Sequence, residues 1–143
     1  MQNQTEKLLD ETRLLWHVMV TAFEHLHARE PVTLGMRAVL EYLVSEGPAT
    51  VPHIARARRV SRQHIQTQVN ALEPLLLVKF DPNPDHRRSV LVTLTSAGRK
   101  MIERMQLRER RFLEKTSISA TNKEIALATK TLGAVRSAIE VAT

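Results

Sequence analysis

The chain contains no cysteine. That excludes a disulfide scaffold, a cysteine zinc site and a thiol nucleophile. Glycine is scarce, at four residues, and with only six prolines the composition argues against a loop-rich fold. Aromatics are few: one Trp, one Tyr and three Phe. Any aromatic-walled pocket must lean on these. Apolar runs are short, as at Leu75–Val78 and Leu14–Trp16, far below the ~18 residues of a membrane span. No glycine-rich phosphate loop occurs, and no nucleophile has an obvious base partner, so no enzyme is expected. The polar, mixed-charge start MQNQTEKLLDETR does not resemble a secretory signal. The expectation is a soluble, cytoplasmic protein with no membrane partner.

What is present is an ordinary globular composition with a basic excess. The 143 residues are 43% hydrophobic and 25% charged, with a net charge of +6. That length suits one domain with a real core. The charge is unevenly placed. Residues 1–49 hold four Lys or Arg and seven Asp or Glu, a net charge of −3. Residues 50–100 hold nine against three, and residues 101–143 eight against five. The middle third alone carries the whole net excess, which marks a polyanion-facing module on a differently charged scaffold.

Helical periodicity dominates the pattern. Leu8, Leu9, Leu15, Trp16, Met19, Val20, Phe23 and Leu26 give a long first helix over residues 5–29, ending before Pro31. Thr33 caps a second helix that stops at Gly47-Pro48. Thr50-Val51-Pro52 opens a short third helix, with Pro in the first turn where its missing N–H costs nothing. Ser61 caps a fourth, whose buried stripe is Ile65, Val69 and Leu72. The period then changes. Residues 77–94 read as a β-hairpin around the turn signal Pro82-Asn83-Pro84-Asp85. Thr95 caps a fifth helix to about Lys115, and Thr121-Asn122-Lys123-Glu124 has the capping-box form before a terminal helix over 121–141.

The fold class expected is mainly α with a small β-hairpin wing: a winged helix-turn-helix at 33–94, followed by a linking helix at 95–115. The reading helix presents Arg62, Gln63, Gln66, Thr67 and Asn70 on its solvent face. Arg forks onto guanine, Gln and Asn match adenine edges, and hydroxyls hold phosphates. Arg56, Arg58 and Arg59 lie just upstream, and Arg87 and Arg88 sit at the hairpin tip. Residues 55–72 contain four Arg and no acid, whereas a merely solvated helix face would mix its charges.

The stretch PNPDHRRSVLVTLTSAGRK at 82–100 carries a family resemblance, as does Ile54-Ala55, Val60-Ser61, Ile65, Val69 and Leu72-Glu73. Over nearly its whole length the chain resembles the MarR-type (multiple antibiotic resistance regulator) winged-helix transcription factors. The resemblance implies a homodimer on a palindromic operator in double-stranded DNA, acting as a repressor at the nucleoid. It implies DNA contacts at Arg56, Arg59, Ser61, Arg62, Gln63, Gln66, Thr67, Asn70, Arg87 and Arg88, with Arg88 entering the minor groove. It makes the helices at 5–29 and 121–141 the dimerisation helices of a single domain over 1–143. It also implies release by a small phenolic or carboxylate effector, with Trp16, His17, Val20, Phe23, Met36 and Leu40 as candidate lining. The same apolar stripe also reads as ordinary core.

Two departures stand out. The wing Asp usual two places before the arginine is His86 here, with Asp85 one place earlier. The glycine that ends the reading helix is replaced within Pro74-Leu75-Leu76. Leu does not take a left-handed cap cheaply, so an altered helix end is expected. Two alternatives remain, a metal-responsive regulator and an architectural DNA binder. No cofactor is expected. Among six His, His25 and His27 diverge around a helix and no H-x-x-x-H pair exists, so no metal site is expected.

Overall fold

A computed structural model describes residues 3–143. The chain forms two compact units, one running up to Arg110 and one from Arg111 to Thr143.

In the first unit, α1 (Gln4–Leu26) opens on a capping box. The Asn3 side chain accepts from the Glu6 N–H at 2.8 Å, and Glu6 accepts from the Asn3 N–H at 2.7 Å. The helix ends at Leu26, short of the expected Arg29, because His27 turns inward and is 3% exposed. No residue of α1 is buried, and Leu14, Leu15, Trp16, Val18 and Met19 stand exposed along it.

The helices α2 (Leu34–Glu46), α3 (Val51–Arg58) and α4 (Arg62–Leu72) begin at the caps expected, Thr33, Thr50 and Ser61. Each cap oxygen accepts the N–H of the third residue on, satisfying a donor the helix leaves open. Strand β1 (Val78–Pro82) pairs antiparallel with β2 (Val90–Leu94), Phe80 opposite Val92. Ala49 and Val92 exchange two backbone hydrogen bonds, which tie the wing to the loop before α3. The first turns of α5 (Ser96–Lys115) bury Gly98, Met101, Ile102 and Met105. Together with Val39, Leu40, Ile54, Val69, Leu72 and Val92 these make one core. Burying each such side chain contributes roughly 1.5–3 kcal/mol.

The reading helix ends in an unexpected way. Leu76 does adopt the left-handed conformation, at φ 60°, with its side chain 73% exposed. The Thr95 hydroxyl holds it there by donating to the Leu76 carbonyl at 2.6 Å, and the same oxygen accepts the Gly98 N–H at 3.0 Å. The Thr95 N–H bonds the next carbonyl, Leu77, at 3.1 Å. Tertiary hydrogen bonds thus overrule the local cost of a left-handed Leu. Since the side chain packs little, Leu76→Gly should raise stability by about 0.5–1 kcal/mol, seen as a higher urea midpoint at unchanged slope.

A polar seam joins the end of α1 and the following loop to α2 and α5. Arg37 forks onto Glu109, with its Nε at 2.7 Å from one carboxylate oxygen. The His27 ring bridges Glu109 and Arg108, each at 3.0 Å. Arginine only donates and carboxylate only accepts, so Nδ1 accepts from Arg108 and Nε2 donates to Glu109. Arg108 and Arg104 converge on Glu30. Burial acts to raise the Glu30 carboxyl, but the hydrogen bonds and charges of these two arginines outweigh it and hold it below its ordinary value. A depressed carboxylate stabilises the fold above the ordinary carboxylate range and loses that contribution as acid reaches it. Urea midpoints should therefore fall below about pH 4.5, and Glu30→Gln should flatten that fall.

The second unit holds the end of α5 and α6 (Asn122–Ala142). The expected capping box is present: Thr121 accepts from the Glu124 N–H at 3.2 Å, and Glu124 accepts from the Thr121 N–H at 2.7 Å. None of α6 is buried, and Ile125, Leu127 and Ile139 are exposed.

Candidate nucleic-acid interface

The helix-turn-helix is built from one tight turn. Arg59 takes a left-handed conformation at φ 54°, and the Val60 N–H returns to the Ala55 carbonyl at 3.1 Å. Ser61 then starts α4 in a new direction. Ile65, Val69 and Leu72 anchor α4 in the core, so its other face must meet solvent. Arg62, Gln63, Gln66, Thr67 and Asn70 are all exposed there. Two hydrogen bonds order this face. Gln66 Nε2 donates to Asn70 Oδ1 at 2.8 Å, and the Thr67 hydroxyl donates to the Gln63 carbonyl at 2.9 Å.

The wing tip is shaped by Asn83, which the sequence pattern marked only as part of a turn. Its side-chain oxygen accepts the Asp85 N–H at 3.0 Å, an Asx turn, and its Nδ2 donates to Ser89 Oγ at 2.9 Å. Asn-Pro-Asp is the signal that points to such a turn. The closed tip leaves Arg87 and Arg88 exposed. Among the described residues no carboxylate pairs with Arg56, Arg62, Arg87 or Arg88. Asp85, one place from the usual wing position, makes no ion pair with Arg88. The ten residues expected at DNA are thus all on the surface, eight of them on the helix-turn-helix and two on the wing tip. Ser61 also has a structural task as the α4 cap.

The six residues expected around an effector are differently placed. Trp16 and His17 are exposed, and Val20 and Phe23 are half-buried. Met36 and Leu40 are core residues, 4% and 0% exposed. An amphipathic stripe facing the core looks the same in sequence whether its neighbours fill the space or leave it open. A cleft of about 370 Å³ lies elsewhere, between the end of α2, the start of α3 and the wing. Tyr42, Glu46, His53, Asn83 and Asp85 line it, and none of the six does. Burial, reinforced by the Glu46 charge, raises the Tyr42 phenol above its ordinary value. Two carboxylates make this cleft unsuited to an anionic compound. Among the described residues no group of three His, Asp or Glu is placed to hold a metal ion, and no helix is long and apolar enough to cross a membrane.

A reading helix seated by a tight turn, flanked by a hairpin tipped with unpaired arginines, defines a DNA-binding winged-helix protein. No protein-family profile matches the chain. Uncharacterized proteins of Mycobacterium tuberculosis and Mycobacterium bovis are each 33% identical over 103 residues, 72% of this chain and 71% of theirs. A crystal structure of a MarR family transcription regulator is 29% identical, with a TM-score of 0.85, covering 97% of this chain and 93% of that one. Bordetella bronchiseptica BpsR, whose DNA binding is regulated by 6-hydroxynicotinic acid, shares the fold at 20% identity and a TM-score of 0.81. It covers 95% of this chain and 97% of its own. The chain has the winged-helix fold of the MarR family transcriptional regulators, to which it is similar over nearly its whole length.

Proposed function

We propose that this regulator is a repressor that binds a palindromic operator as a homodimer in the cytoplasm, at the nucleoid. The observation that carries this is the acid-free reading surface. Arg56, Arg62, Arg87 and Arg88 have no carboxylate to release before they meet phosphate. A single winged module reads few base pairs, and a two-fold pair reads two half-sites about 34–36 Å apart. The exposed apolar residues of α1 and α6 supply the reason to pair, since soluble chains rarely leave such faces uncovered.

Release by a small aromatic acid or phenol is the regulation that fits best. BpsR, of the same fold, responds to such a compound. In this chain Trp16, His17, Val20 and Phe23 are the α1 residues still accessible enough to meet it.

The test compares duplex from upstream of the chain's own gene with random duplex. A regulator should prefer the former by about 10³-fold or more, whereas an architectural binder holds both alike. Sedimentation at micromolar concentration should show a dimer. Trp16 is the sole tryptophan and is 54% exposed in one chain, so its emission reports directly whether a second copy or an effector covers α1. A monomer with a water-exposed Trp16 emission would sink the dimer, and with it the palindrome.

A further inference from the structure

We propose that in each half-site Gln66 reads an adenine, that Asn70 is the positioning residue that holds Gln66 to this task, and that Thr67 turns its methyl to a thymine. This rests on the DNA-reading role of α4 and names what that helix reads.

The argument is an inventory of donors and acceptors. Gln63, Gln66, Thr67 and Asn70 fall three and four residues apart, so they share one face of α4. All are exposed, so none is held by the core. A free Gln amide offers two N–H donors and a carbonyl acceptor, and it turns to suit whichever base it meets. Here one N–H is committed, because Nε2 donates to Asn70 Oδ1 at 2.8 Å. What remains on Gln66 is one donor beside one acceptor. In the major groove adenine presents N7, an acceptor, beside the N6 amino donor. The two edges are complementary. Guanine presents two acceptors, N7 and O6. Against guanine the Gln66 carbonyl would face O6 with no proton between them, and Asn70 blocks the rotation that would relieve it. The bond therefore favours adenine over guanine, and it reduces the rotamer freedom that a glutamine otherwise loses on binding.

Asn70 does not exchange roles with Gln66. Its oxygen already accepts from Gln66, which turns that oxygen toward Gln66 and leaves both amino protons free, and it lies nearer the helix C-terminus. Base contacts concentrate toward the N-terminal part of a recognition helix. Thr67 is simpler. Its hydroxyl proton is spent on the Gln63 carbonyl at 2.9 Å. It has no donor left for phosphate, and its methyl is the group left to face the groove. The thymine C5-methyl is the apolar feature there.

The experiment uses the full chain and a duplex selected from a random library. Each adenine of the half-site is replaced in turn by guanine or 7-deazaadenine, which lacks the N7 acceptor, and each thymine by uracil, which lacks the methyl. At one adenine both changes should weaken binding by about 5- to 100-fold. Gln66→Ala should bind all three bases alike at that position. Asn70→Ala should lose most of the adenine-over-guanine ratio. Asn70→Asp keeps the acceptor but adds a negative charge, so it should restore the ratio while lowering overall affinity. A merely structural role for Asn70 would not separate these two readouts. Thr67→Val should keep the preference for thymine over uracil, and Thr67→Ser should lose it. Melting temperatures should not move, since these side chains are exposed. If the selected site shows no adenine whose 7-deaza penalty vanishes in Gln66→Ala, the inference is overturned while DNA reading stands. If no duplex is selected over random sequence, the DNA-reading proposal falls, and this inference falls with it.

Discussion

Arg88→Ala should lower affinity for the operator by about 100-fold. A hydrogen bond to a charged group is worth about 1.5–3 kcal/mol, and each 1.4 kcal/mol is tenfold. Even a loss at the low end of that range acts twice in the proposed dimer, once in each wing. The loss should extend to nearly every sequence and be largest where A·T-rich flanks narrow the minor groove, because a narrow groove concentrates negative potential. The slope of log affinity against log salt should also shrink by about two, one cation withdrawn per subunit. The tip is closed by Asn83 and Ser89, not by Arg88, so the hairpin should survive the change. Fluorescence anisotropy at three salt concentrations measures both quantities. Affinity within twofold of the parent would place the wing off the DNA.

Gly98→Ala should destabilise the chain by about 3 kcal/mol or more. A Cβ built on Gly98 would lie 2.0 Å from the Leu77 carbonyl oxygen and 2.8 Å from Leu94 Cδ1. The leucine side chain could move, but the carbonyl is held by the Thr95 N–H. The helix would have to lift from the chain after the reading helix, breaking the bonds that keep Leu76 left-handed. Thermal unfolding should drop by roughly 10 °C, and DNA affinity should fall with it.

How much was legible in the sequence divides along physical lines. Features written in neighbouring residues were plain: the caps Thr33, Ser61 and Thr121, and the hairpin within residues 77–94. The exposed face of α4 followed from the buried stripe opposite it. Features made by distant residues were not. Glu109 meets His27 and Arg37 across 82 and 72 positions, and no local pattern announces such a pair. That seam also explains the early end of α1 at Leu26. Leu76 misled for the same reason: its conformation is strained by local rules and is fixed by Thr95, 19 residues on. Met36 and Leu40 show the remaining gap, since periodicity says which way a side chain points and not what it meets.

The bonds around Thr95 also have a mechanical meaning. One hydroxyl clamps the start of α5 to the peptide that leaves the reading helix, with no side chain at Gly98 to act as a spacer. The helix, the exit turn and the root of the wing are thereby welded into a single crank. A displacement of the first turn of α5 would therefore pull directly on the peptide that leaves α4, through the Thr95 bonds to Leu76 and Leu77.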